Sequence, residues 1–139
     1  MTKVTVSEDI KGDAKAVWAI LSDFAGIKVG GPITSFETKG EGIGMLRTIG
    51  MGGGTIVERL DEQDAKSMVF AYSIVNEDAP LPVSKYSARV TVTSTGKDTC
   101  HVDWTGTFEP KGASEEDASK VVEGIYRGGI ARARKAVGG

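Results

Sequence analysis

The sequence predicts an α+β domain in which a curved antiparallel sheet of about seven strands wraps around one long C-terminal helix. Three observations carry this. Apolar side chains alternate with period two through most of residues 33–109. The breaks between the alternating runs are too short for helical crossovers, which makes successive strands antiparallel neighbours. Residues 114–136 then switch to the helical period, with acids at the start and bases at the end.

In order, Lys3–Glu8 alternates as a strand, with Val4 and Val6 on one face. Gly12 and Asp13 end it, and Asp13 is placed to cap a helix in which Val17, Ile20, Leu21 and Phe24 recur at helical spacing. Strands are expected at residues 33–39, 44–51, 55–61, 67–75, 85–95 and 99–109. Gly40 to Gly42, the cluster Gly50–Gly54, Asp61–Lys66 and Thr95–Asp98 supply the turns. Ser114 caps the last helix, whose first turn holds Glu115, Glu116 and Asp117 and whose final turns hold Arg127, Arg132, Arg134 and Lys135. Its expected apolar stripe is Ala118, Val121, Val122, Ile125, Gly129, Ala133 and Ala136.

Composition bounds the function. The chain has 139 residues, 40% hydrophobic and 26% charged, which fits one folded domain. A net charge of −2, with both signs mixed along the chain, gives no basic stripe, so no nucleic-acid partner is expected. The apolar runs are too short to span a bilayer, and Met1–Val6 lacks the pattern of a secretory signal. The single cysteine, Cys100, has no disulfide partner and is expected to be buried and inert. A cytoplasmic protein, monomeric or weakly homodimeric, is the expectation. There is no HExxH, no CxxC and no glycine-rich loop opening a helix, so neither metal nor cofactor is implied.

Several segments together carry a family likeness: Val17–Phe24, Gly44–Thr48, Val57–Asp61, Tyr72–Val75, Pro80–Val83 with Tyr86, Val102–Phe108 and Val122–Tyr126. In this order, over nearly the whole chain, they resemble bacterial members of the polyketide cyclase/dehydrase and lipid-transport superfamily, also called SRPBCC or START-like proteins. The resemblance implies the helix-grip fold, shared with the birch-pollen allergen family and the plant abscisic acid receptors. It also implies a cavity between the concave sheet face and the long helix. Two stretches depart from relatives. Ile27–Pro32 lacks an aromatic residue often found there, and Met51–Gly54 lacks the Leu-Pro of the receptors' gate loop.

Within that fold, alternation sorts side chains to the cavity. Arg47, Ile49 and Met51 share one face, as do Met68, Phe70, Tyr72 and Ile74, and next to them Tyr86, Ala88, Val90 and Val92. Val121, Ile125 and Gly129 would close the cavity from the helix. The resemblance turns Glu58 inward, where a buried carboxylate needs a partner, and Arg47 on the adjacent strand is the candidate. Such a pair is either a ligand's polar anchor or a structural ion pair. Asp103 is turned inward by the resemblance but outward by the apolar series Val102, Trp104, Phe108. Gly128 and Gly129 mark either space beside a ligand or close approach to the sheet. His101 is read as a solvated or satisfied residue rather than a base.

The function these features imply is binding or transport of a small hydrophobic ligand, such as a lipid, a polyketide-like compound or an aromatic metabolite. The alternative is a polyketide cyclase/aromatase or dehydratase, with Glu58, Asp103 and Tyr86 as acid–base groups and Arg47 polarising a carbonyl. A thinner third reading is a partner-binding adaptor using Pro80–Val83. For ligand entry, the glycines of residues 50–54 are expected to move against a fixed rim at Asn76–Ser84.

Overall fold

The period-two alternation is realised as a seven-stranded sheet. The computed structural model describes residues 1–138. β1 (Thr2–Ile10) is followed by α1 (Ala14–Leu21), then β2 (Ile33–Lys39), β3 (Leu46–Met51), β4 (Gly54–Asp64), β5 (Val69–Ile74), β6 (Val83–Gly96) and β7 (Thr99–Pro110), and last α2 (Glu115–Ala136). The strand order is β1-β7-β6-β5-β4-β3-β2, and every neighbouring pair is antiparallel. From β2 to β7 the sheet is a meander of hairpins, and β1 returns to pair with β7. Register shifts at Leu60/Glu62 in β4 and at Ser84/Ser87 in β6 bend these strands and help the sheet curl.

α2 lies across β1 and β7, and α1 packs on α2, β6 and β7. Ser114 caps α2 by accepting the Asp117 amide at 3.1 Å. Asp13 occupies the cap position of α1, but its side chain makes no cap bond. Between β3 and β4 the turn is only Gly52-Gly53, both at positive φ (+59° and +78°), a conformation that suits two glycines and tight hairpins. β5 begins one residue later than its inward series implies, because Met68 takes φ +55° in the preceding turn.

The apolar stripe of α2 differs from the one expected. Ala118, Val122, Tyr126, Ile130 and Ala133 are buried against the sheet. Val121 and Ile125 are 41% and 44% exposed, and Ala136 is exposed as well. The helix is rotated so that residues spaced by four from Ala118 face inward. No helix among the described residues is long and apolar enough to cross a membrane.

Candidate functional site

Register places Arg47 on β3 directly opposite Glu58 on β4. Both point to the inner face, where their side chains are 12% and 10% exposed. Arg47 Nε and Nη2 each reach Glu58 Oε1 at 2.7 Å. Its Nη1 donates to the backbone carbonyl of Phe24 at 3.2 Å. The guanidinium carbon stands 3.8 Å from the centre of the Phe24 ring and 5.4 Å from that of Tyr72. Phe24 arrives there because α1 ends at Leu21 and the chain that follows lies over the sheet as a strap. The strap is tied to the sheet by Gln63 at the Ser22 carbonyl, by Arg47 at the Phe24 carbonyl and by the Phe24 ring against Tyr72. Arg47 is thus held by a carboxylate, a carbonyl and an aromatic face.

Beyond this pair runs a row of hydroxyls. All three tyrosines of the chain, Tyr72, Tyr86 and Tyr126, meet in the interior. Trp104 Nε1–H donates to the Tyr72 hydroxyl at 3.3 Å. The Tyr72 and Tyr86 hydroxyls are 3.4 Å apart, and those of Tyr86 and Tyr126 are 2.5 Å apart. Burial pushes all three phenols well above their ordinary pKa, and the Glu58 charge adds to the effect on Tyr72 and Tyr126. They therefore stay neutral near pH 7 and act as hydrogen-bond donors.

Two glycines let these rings pack closely. Trp104 stacks on Tyr126 with ring centres 4.9 Å apart and planes 15° from parallel. Gly106 has no side chain where the Tyr126 hydroxyl lies, and Gly129 gives way to the Trp104 ring. These rings occupy the space between sheet and α2, where the family resemblance implies a cavity. Two open surface depressions are present. One is bordered by Asp9, Ile10, Lys11 and Thr99, and the other by Asp61, Ser87, Arg89, Thr105 and Thr107 together with Ala71, Tyr72 and Ala88.

Of the residues expected to face a ligand, Arg47, Glu58, Phe70, Tyr72, Tyr86 and Ala88 are gathered on the inner face. Ile49, Met51 and Ile74 lie with Ile56 and Ala79 in a second apolar cluster, which Ile27 of the strap and Leu81 help cover. Gly129 is half-buried against Trp104. Three expectations are corrected. Val121 and Ile125 face solvent for the reason given above. Asp103 points outward, because β7 pairs with β1 in unbroken register and alternation is never reset. Its carboxylate accepts from Ser7 Oγ at 2.6 Å on the outer face.

Sequence reasoning assigned no site role to Phe24 or Tyr126. Tyr126 could have been found from its spacing of four to Val122 and Ile130. Phe24 could not, because its role depends on the path of the strap. His101 sits between two carboxylates, with Nδ1 2.7 Å from Asp9 and Nε2 3.1 Å from Asp103. The hydrogen bond to Asp9, aided by the Asp103 charge, raises its pKa. Cys100 is buried, and burial pushes its thiol up. Among the described residues, no group of three or more His, Cys, Asp or Glu side chains is placed to hold a metal ion.

Comparison with known proteins agrees with this architecture. The family model described as polyketide cyclase / dehydrase and lipid transport matches residues 1–138. An uncharacterized protein from Bacillus thuringiensis is 32% identical with a TM-score of 0.83, covering 98% of each chain. The protein XoxI from Bacillus cereus is 32% identical with a TM-score of 0.84, covering 99% of this chain and 96% of its own. Norcoclaurine synthase from Thalictrum flavum, solved with dopamine and hydroxybenzaldehyde, shares the fold at 17% identity and a TM-score of 0.71, covering 96% of this chain and 83% of its own. No protein among the curated sequences matches this chain.

Proposed function

The chain belongs to the polyketide cyclase / dehydrase and lipid transport family, and from that premise we propose that it binds a small, largely apolar molecule carrying a hydrogen-bonding oxygen, on the inner sheet face beneath the α1–β2 strap. The observation that carries this reading is the buried polar row, Arg47–Glu58 continued by Tyr72, Tyr86 and Tyr126, within an otherwise apolar interior. Packing alone does not call for it, since apolar residues of similar volume usually serve stability as well or better.

Two features of the row suit a ligand. Trp104 and the three tyrosines bring four donor hydrogens to three contacts, which leaves one hydroxyl proton for an incoming acceptor. Arg47, for its part, pairs with Glu58 and completes its contacts with an aromatic ring and a carbonyl that both belong to Phe24. An aromatic or conjugated ligand with a carbonyl or hydroxyl group offers the same two contacts, so Phe24 acts as an internal stand-in that the ligand displaces. Binding then includes the cost of lifting the strap, which lowers apparent affinity by the fraction of molecules that are open.

The acid–base set of the enzyme alternative is assembled only in part: Arg47, Glu58 and Tyr86 share the interior, and Asp103 is apart from them. Glu58 lies on the inner face and Asp103 on the outer face of the same sheet. Binding or carriage is the function this geometry supports best.

A fluorescent naphthalene sulfonate probe tests it. The probe should bind saturably at one per chain, and Phe24→Ala should tighten binding about ten-fold by removing the stand-in. Phe24→Leu serves if the alanine variant folds poorly, with near-ultraviolet circular dichroism checking that packing is intact. No saturable binding, or equal affinity in all three folded chains, would overturn the reading. Native mass spectrometry of protein taken from its own host should show a retained small molecule.

A further inference from the structure

The solvent side of α2 is built unlike a surface that only meets water. Val121 and Ile125 are 41% and 44% exposed there. Gly124 and Gly128 lie on the same side, and beyond the adjoining helix backbone a Cβ on either would meet nothing within 4 Å. Glycine is among the poorest helix formers, and close packing within the chain explains neither of these two. Two aliphatic knobs thus alternate with two empty holes along the exposed middle of the helix.

Most charges of α2 are already paired within the chain. Glu115 accepts a hydrogen bond from Thr2, Glu116 pairs with Lys120, Glu123 with Arg127, and both Arg127 and Arg134 reach Glu8 on β1. Among the described residues, Asp117, Arg132 and Lys135 are the α2 charges that enter no such contact, and all three are exposed. At 100° per residue they fall on the same side as the strip, acid at its N-terminal end and bases at its C-terminal end.

We infer that this face docks against the same face of a second copy of the chain, with the two helices antiparallel about a two-fold axis between Gly124 and Ile125. In that register Val121 meets Gly128 of the second copy, and Ile125 meets its Gly124. Asp117 meets Arg132 of the second copy, with Lys135 one turn further on. The contact is self-complementary in shape and in charge, as a two-fold interface requires. The glycines let the two backbones approach, and ridges of one helix enter grooves of the other. A net charge of −2 per chain opposes association only slightly. From Asp117 to Arg132 the strip is about 22 Å long at 1.5 Å per residue. One helix face of that length stays under the roughly 1,200 Å² of a stable interface, so the dimer is weak and concentration-dependent. The proposal is independent of any ligand, since the face points away from the sheet interior.

Sedimentation equilibrium between about 10 µM and about 1 mM tests it. The native chain should follow a monomer–dimer equilibrium in that range. Asp117→Arg and Arg132→Asp should each weaken it about ten-fold or more, because both symmetry-related contacts turn repulsive. The two reversed chains should pair with each other when mixed, and the double reversal should associate like the native chain. Circular dichroism checks that each variant keeps its fold, which these exposed positions should allow. A native chain that is monomeric throughout, a dimer indifferent to both reversals, or reversed chains that fail to pair would each overturn the interface.

Discussion

Gly129 of α2 and Trp104 of β7 touch so closely that a Cβ on the glycine would stand 2.6 Å from the indole ring. Its neighbour Gly128 has nothing within 4 Å of the same position. Adjacent glycines in one helix therefore have opposite meanings. One lets the helix settle onto the tryptophan that stacks on Tyr126, and the other is left open to solvent.

Substituting each with alanine should separate the two. Gly128→Ala should stabilise the monomer by about 0.5–1 kcal/mol, the usual helix gain of alanine over glycine. Gly129→Ala should destabilise it by about 1–3 kcal/mol, because the indole must shift within a packed interior. Urea unfolding at low micromolar concentration measures both, and equal effects would mean that Trp104 moves aside freely.

The Arg47–Glu58 pair should behave as a buried one. Removing either partner, by Arg47→Met or Glu58→Gln, should cost about 3–5 kcal/mol, since the other charge is left in an apolar setting. Arg59–Asp61, with side chains 51% and 31% exposed, is the internal control and should be worth about 0–1 kcal/mol. Urea midpoints for the four variants, with Arg59→Met and Asp61→Asn as controls, check the contrast.

This pair also shows what the sequence made legible. The β2–β7 meander and the long helix with its Ser114 cap follow from local signals, period and turn residues. The inward turn of Glu58 towards Arg47 came from the family likeness, and the place of β1 beside β7 from neither. The rotation of α2 was misread because Val121 and Ile125 are as apolar as Val122 and Ile130, and their glycine neighbours leave the stripe ill-defined. Whether the interior is open or filled was beyond reach. It depends on Tyr126 lying over Gly106 and on Phe24 folding back to Arg47, contacts between residues 20 or more apart in sequence. Asp103 was decided by plain alternation, against the inward placement that the family likeness implied.

His101 should leave a pH signature in stability. Its folded pKa is raised, first by the Asp9 hydrogen bond and further by Asp103. The stabilising contribution is then fully present below the unfolded value of about 6.5 and lost as pH rises through the higher folded value. The native chain should lose some stability on this account between mildly acidic and mildly alkaline pH, and His101→Gln should flatten that part of the profile. Because Asp9 is 86% exposed, added salt should weaken the effect. Urea midpoints across this range, at low and high salt, measure it.

Entry to the inner face is the last consequence. Composition alone pointed to the glycine hairpin as the moving part and the proline loop as its fixed rim. The structure packs these two together, with Pro80 3.4 Å from the position of a Cβ on Gly54 and 3.7 Å from one on Gly52. The strap has less holding it. Gln63 bonds the Ser22 carbonyl where the strap begins, Arg47 bonds the Phe24 carbonyl, Gly26 bonds Asp23, and a single bridge joins Gly30 to Ile33. If a ligand displaces Phe24, the strap loosens while the hairpin stays in place. Amide exchange with saturating probe should therefore quicken about ten-fold at Gly26, Gly30 and Ile33, whose amides are bonded within the strap. It should change little at Leu81, whose amide bonds Ala79 in the proline loop. A change concentrated at Leu81 and the hairpin, with the strap amides unaffected, would place the entrance between those two loops and leave Phe24 as ordinary core.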